Sequence, residues 1–298
     1  MGELEILDAG ALTLVQDRGR VGFAHLGVPR AGALDAPAAA LANRLVGNDP
    51  DAAILEITMG GLAALNAGPA RWAALTGAQT DETALSRTVG GPSRPARAHR
   101  AAVAHAAAFW WPQGTVLSVG RPVVGVRTYL AISGGIHVAP VLGSRSTDTL
   151  AWVGPARVQA GARLPLGEWQ GLQPNPLDTP PARRVERIRL MNGPQAAWFA
   201  ESPADRTWTV RAASDRVGMR LDGPPLARLR EGELPSEGMV LGAVQVPPDG
   251  RPIVFLADHP PTGGYPVIGV VHPDDLWQCA QLRPGEQVRF RDVATRNG

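Results

Sequence analysis

Four clusters in which polar side chains alternate with glycine hold the residues best suited to chemistry. The first runs from VQDRGRVG (Val15 to Gly22) through GVPRAGALD (Gly27 to Asp35). Its glycines permit tight turns, so Asp17, Arg20 and Asp35 could be presented where a strand enters a loop. The same residues also read as a turn ion pair and as a helix cap at Asp35. The second, GSRSTD (Gly143 to Asp148), has the make-up of an oxyanion cradle. Backbone amides with Ser146 or Thr147 would donate, and Arg145 would add a bidentate charge. An ordinary turn leading to a cap fits those six residues too.

The third cluster, SDRVGMRL (Ser214 to Leu221), sets Asp215 beside Arg216 with Arg220 further on. It reads either as an ion-paired turn or as a pair of guanidiniums serving a site. The fourth is the most unusual: an apolar strand ends at Asp258 and runs into Thr262-Gly263-Gly264-Tyr265. Adjacent glycines after a strand let a ligand approach the backbone, and Tyr265 can hydrogen-bond or stack. Ser236, Glu237 and Gln245 add polar groups at other strand ends.

Other chemistries are excluded. All 29 basic residues are arginine. The absence of lysine removes a Walker-type phosphate loop, a Schiff base, and biotinyl- or lipoyl-lysine on this chain. The lone Cys279 excludes an intrachain disulfide and a cysteine-based zinc site. The six histidines show no paired metal-ligand spacing, and no GxSxG elbow or HExxH is present. No metal site is assigned. A net charge of +2 without a basic stripe speaks against nucleic acid. The acidic N-terminus and the shortness of the apolar run Ala101 to Trp111, against the ~20 residues of a bilayer span, lead us to expect a soluble cytoplasmic protein, with no membrane partner.

The elements that must position these groups are mostly strands. Gly 35 and Pro 28 make up about a fifth of the 298 residues, which disfavours long helices. Short β-type runs read as strands at 4–7, 13–16, 53–58, 115–119, 126–133, 187–190, 207–211, 252–257, 267–271 and 287–291. Two segments read as helices. Ala36 to Val46 follows an Asp35 cap, and Pro273 to Gln281 follows His272; Gln195 to Ala200 is weaker. The Pro-rich stretch Gly167 to Arg184 reads as a linker, and Gly90 to Arg100 as an exposed loop. The expected organisation is an N-terminal β-rich lobe over 1–180 with one helix (36–46), and a C-terminal barrel lobe over 181–298.

Taken in order, VQDRGRVG, GVPRAGALD, LVGN, LEITMGG, ALTGA, RTYLAISGGI, GSRSTD, SDRVGMRL, SEGMVLGAVQVPPDGRPIVFLAD, TGGYP and AQLRPGEQVRF span nearly the whole chain. Together they resemble the allophanate hydrolase subunit 2, or biotin-dependent carboxyltransferase-like, family, on the branch that holds the C-type subunits of 5-oxoprolinase. The resemblance implies a mainly β fold of cyclophilin-like barrel architecture in two lobes with a few short helices. It further implies a heteromeric ATP-dependent hydrolase, in which the lactam oxygen of 5-oxoproline is phosphorylated and the ring opened to glutamate. ATP and Mg2+ are the expected cofactors, and a subunit-B-like homologue and a subunit-A-like hydrolase the expected partners. Carboxyl transfer from biotin carried in trans, and non-enzymatic regulation of a kinase-inhibitor-like partner, are the alternatives within the family.

On the leading reading Arg145, Asp215, Arg216 and Asp258 are the catalytic candidates. Asp17, Arg20, Asp35, Ser146, Arg220, Gln245, Thr262, Gly263, Gly264 and Tyr265 are the binding candidates. The chain departs from the family in three places. His259-Pro260-Pro261 stand where an arginine and a glutamine usually precede TTGGYP, Gly154-Pro155 replace a glycine pair, and Met219 replaces a tyrosine.

Overall fold

The computed structural model describes residues 2–87, 100–171, 173–174, 186–232 and 234–293. Most of the Gly167 to Arg184 linker and of the Gly90 to Arg100 loop, His99 included, lies outside the described residues. The chain divides into two units. Unit 1 holds Met1–Gly19, Asp35–Thr147 and Gly154–Pro181; unit 2 holds Arg20–Leu34, Asp148–Val153 and Ala182–Gly298.

Unit 1 is built from two sheets. The first orders its strands Arg163–Leu166, Gly2–Ala9, Leu62–Asn66, Thr115–Ser118, Ala84–Arg87 and Arg100–Ala102. The second orders Leu12–Gln16, Ile54–Thr58, Pro122–Ile132, Arg71–Thr80 and Ala108–Trp111. Alternation along Gly2–Ala9 buries Leu4 and Ile6 completely, and they share one apolar cluster with Leu55, Ile57, Leu75 and Leu130 of the other sheet. Both sheets therefore contribute to a single core, the arrangement that period-two patterning enforces. Helix Ala36–Leu45 packs on the strands Arg71–Thr80 and Pro122–Ile132.

Unit 2 is a closed barrel of seven strands. Their order is Ile188–Asn192, Val267–Val271, Ala243–Gln245, Ile253–Phe255, Gly218–Asp222, Thr207–Val210 and Gln287–Val293. The parallel pairing of the last with the first closes the ring. Closure leaves no free sheet edge. Trp208, Phe290, Leu190, Leu221, Val244 and Val254 fill the interior. Met219 joins them at 1% exposure, so the methionine that replaces the family's tyrosine is a packing residue. The predicted helix over 273–281 forms as a 3-10 turn, Pro273–Asp275, continued by the α-helix Leu276–Gln281. His272 Nδ1 accepts from the Asp274 amide to start it. Only a 3-10 turn, Ala196–Trp198, forms within Gln195 to Ala200. Among the described residues no helix is long and apolar enough to cross a membrane.

Candidate functional site

In unit 1 the GSRSTD turn is an anion cradle, and the anion it holds is the chain's own. The Ser144 and Ser146 hydroxyls each donate to Asp17 Oδ1 at 2.6 Å, and the Gly19 amide donates to the same oxygen at 2.8 Å. The Arg145 amide donates to Oδ2 at 2.6 Å, and the Asp17 amide donates to Ser146 Oγ at 2.9 Å. Amide and hydroxyl donors converging on one carboxylate satisfy it without a cation. Asp17 and Ser146, expected to contact a ligand, are here hydrogen-bonded to each other. The Arg145 guanidinium is half-buried, with Nε on the Val138 carbonyl at 2.8 Å.

Asp35 is likewise structural. It caps helix Ala36–Leu45 by accepting from the Ala38 amide at 3.0 Å, and it is 3% exposed. Its own amide donates to the Tyr129 phenol, which donates in turn to Glu56 Oε2 at 3.0 Å. Burial, with Glu56 and Asp35 nearby, holds that phenol well above its ordinary value, so it stays a donor.

Unit 2 brings together residues that are far apart in sequence. The turn at 214–217 directs Asp215 outward and Arg216 inward. Asp215 Oδ1 accepts from the Val217 and Gly218 amides at 2.8 and 3.0 Å, the geometry of an Asx turn. The expected ion pair between neighbours does not form. Arg216 instead forks onto Asp258, with Nε on Oδ2 at 2.8 Å and Nη2 on Oδ1 at 3.0 Å. Both side chains are buried, at 2% and 0% exposure. Thr149 adds its amide and hydroxyl to Oδ2 at 2.9 and 2.7 Å, and Arg216 Nη2 also donates to the Gly32 carbonyl. Such a pair is viable when buried only because its hydrogen-bonding capacity is met. Asp258 therefore anchors the end of a barrel strand and is not exposed to a metal or a substrate proton. Arg20 is also buried, its amide on the Arg30 carbonyl at 2.7 Å.

The segment leaving that anchor carries the most open chemistry. His259 is 7% exposed, stacks on Phe255 with centroids 5.8 Å apart, and sets Nδ1 against the Pro260 carbonyl. Burial pulls its imidazole below the ordinary value, and the nearby Arg30 cation acts in the same direction. Neutral histidine thus occupies the stretch where the family carries a cation. Three residues on, Thr262–Gly263 pairs with Glu237–Gly238 in a two-stranded ladder.

Two glutamines fix this ladder to the barrel. Gln195 clamps the start of strand Val267–Val271: its backbone amide donates to the Val267 carbonyl, and its Oε1 accepts from the Val267 amide at 3.0 Å. The same side chain donates through Nε2 to Glu237 Oε2 at 3.2 Å. Gln245 donates to the Tyr265 carbonyl at 3.1 Å and to Met239 Sδ at 3.5 Å. A β-carbon on Gly263 would lie 2.6 Å from Gln245 Nε2, so only glycine lets strand and glutamine approach this closely. The result is a half-buried carboxylate, Glu237, beside two oriented amides, the exposed Thr262 and Gly264, and a Tyr265 that is 47% exposed. Such a set can accept one N–H and donate to one carbonyl or oxyanion.

Gln195 carries almost no sequence signal, being one glutamine in a weak helical segment, and sequence reasoning misses it. Glu237 is visible beside Ser236 at a strand end, but nothing local ranks it with the site residues. Arg220 falls in a different group, on the outer face of the barrel with Arg211 and Arg251.

Residues 26–292 match the family model described as the carboxyltransferase domain, subdomain A and B. The chain belongs to this family. It is 38% identical to the C-type subunit of 5-oxoprolinase from Escherichia coli, over 96% of this chain and 90% of that one. The crystal structure of TTHA0988 resembles it with a TM-score of 0.84 at 37% identity, over 98% of this chain and 56% of that one. The crystal structure of K. lactis urea amidolyase gives a TM-score of 0.85 at 28% identity, over 98% of this chain and 19% of that one. In both solved structures the matching region is part of a longer chain.

Proposed function

We propose that this chain is the C-type subunit of an ATP-dependent 5-oxoprolinase, acting with a subunit-B-like homologue and a subunit-A-like hydrolase to convert 5-oxoproline to glutamate. The observation that carries this reading is the likeness to the Escherichia coli 5-oxoprolinase component, which is nearly complete in both directions. The ladder cluster suits the substrate chemistry. A lactam presents one N–H and one carbonyl, the complement of the Glu237 carboxylate and the exposed Thr262 hydroxyl beside it in the ladder. Phosphorylation of the lactam oxygen concentrates negative charge there, and preorganised neutral donors stabilise such charge without reorganising.

Arg216 and Asp258 act in this reading as positioning residues, holding the strand from which the cluster hangs. Among the described residues no group of three or more His, Cys, Asp or Glu side chains could hold a metal ion. Mg2+ in this reading would enter on the phosphates of ATP, the mode in which it needs few protein ligands.

The test is glutamate release from 5-oxoproline by the three co-expressed components, with and without ATP. ATP-dependent glutamate that disappears when this chain is omitted is the expected result. A stable complex that releases none would overturn the reading. The likeness to urea amidolyase favours one alternative, carboxyl transfer from carboxybiotin held on another chain. Sensitivity of turnover to avidin separates the two, because the oxoprolinase reading involves no biotin.

A further inference from the structure

Strand Gly218–Asp222 of the barrel lies between Thr207–Val210 and Ile253–Phe255. Met219 and Leu221 point into the core, at 1% and 0% exposure, so Arg220 between them faces outward. The register pairs Val210 with Leu221, and the Arg211 amide donates to the Arg220 carbonyl at 2.9 Å. Arg211 therefore stands directly opposite Arg220. Like charges facing one another across an antiparallel pair are destabilising, and a fold selected for stability alone would place an acid at one of the two positions.

The neighbouring acids do not neutralise them. Asp222 lies 2.8 Å from Arg251 Nε, and Asp249 accepts from the Arg251 amide and lies 3.8 Å from its Nη1. Asp215 Oδ1 is taken by the Val217 and Gly218 amides. Among the described residues neither the Arg211 nor the Arg220 guanidinium makes a hydrogen bond or ion pair. Both line a concave surface that Asp249 and Arg251 also line, the carboxylate turned to its own arginine, and whose apolar walls, Pro247, Pro252 and Ile253, are rigid or strand-bound.

We propose that this outer face of the barrel is a phosphate-binding site. Two uncompensated guanidiniums match a dianion, and planar N–H forks match phosphate oxygens bidentately. The site is independent of the ladder cluster, and its existence does not rest on the oxoprolinase reading. Its ligand is inorganic phosphate or the terminal phosphate of a nucleotide.

The test uses the full chain, titrated calorimetrically with inorganic phosphate and separately with ADP, at ionic strength held constant with chloride. Saturable one-to-one binding of either is expected, weakened at least about tenfold in Arg220→Gln. Tighter binding of ADP identifies a nucleotide phosphate as the ligand, and tighter binding of phosphate identifies the free anion. Arg211→Glu supplies an internal counter-ion. It is expected to abolish binding and to raise the thermal midpoint measured without phosphate. No binding by the wild type, equal binding by Arg220→Gln, or a midpoint unchanged or lowered by Arg211→Glu would overturn the proposal.

Discussion

Arg216 and Asp258 illustrate how a residue pair can be central to a site without touching substrate. Their carboxylate–guanidinium fork is buried and is completed by Thr149 and the Gly32 carbonyl. Removing one partner strands the other in a poorly solvating interior. We predict that Arg216→Ala lowers unfolding free energy by about 3–5 kcal/mol in chemical denaturation. The Arg216→Met, Asp258→Leu double variant is predicted to lose less, since no charge is then left unpaired. The importance of these two residues is legible in sequence, but their pairing is not, because 42 positions separate them. The same holds for Asp17. The donor character of GSRSTD is readable from its glycine, hydroxyls and amides, whereas the anion that fills it lies 127 positions from Ser144. Residue type reveals what a group can bind, and only tertiary structure reveals what it has already bound. Cys279 is the converse case: buried, with its thiol pushed up to about 12 chiefly by burial, it is an inert packing residue.

Ladders and clamps set the site's geometry at the scale of elements. The pairing of Glu237–Gly238 with Thr262–Gly263 is only two residues long, too short for any alternation pattern, and the barrel strands Ala243–Gln245 and Ile253–Phe255 have three residues each. The longer strands, Gly2–Ala9 and Pro122–Ile132 among them, contain the β-type runs that sequence patterning picks out. The two-residue ladder is thus the part of the site that patterning does not reach, whereas Ile253–Phe255 lies inside the run read as a strand over 252–257. What remains legible is the glycine chemistry. Gly263→Ala would put a methyl against the end of Gln245, a flexible group that can swing away, and 3.3 Å from Met239. The variant is therefore expected to change stability by no more than about 1 kcal/mol. Losing the Gln245 link to the Tyr265 carbonyl is expected to cut turnover of the assembled complex about tenfold or more. Denaturation and glutamate release measured on the same preparation check both halves.

For the whole molecule, composition and motif order are enough to anticipate a mainly β, carboxyltransferase-like chain, and the seven-stranded barrel and family match agree. Sequence does not reveal that Arg20–Leu34 and Asp148–Val153 pack with unit 2, because contacts rather than local propensity decide membership of a unit. Those two segments supply Gly32 and Thr149 to the Arg216–Asp258 anchor, so the barrel's site depends on pieces of chain from well before it. The central claim is that the ladder carboxylate, Glu237, serves lactam opening within an oxoprolinase complex. It is tested most directly by comparing ATP-dependent glutamate release from complexes assembled with the wild-type chain and with Glu237→Gln. The substitution keeps the shape of the side chain and removes only its charge and basicity. Intact assembly and a fall in turnover of about 100-fold are predicted, the scale of a lost charged acceptor that orients the lactam N–H. Undiminished glutamate release from the variant complex would contradict the claim.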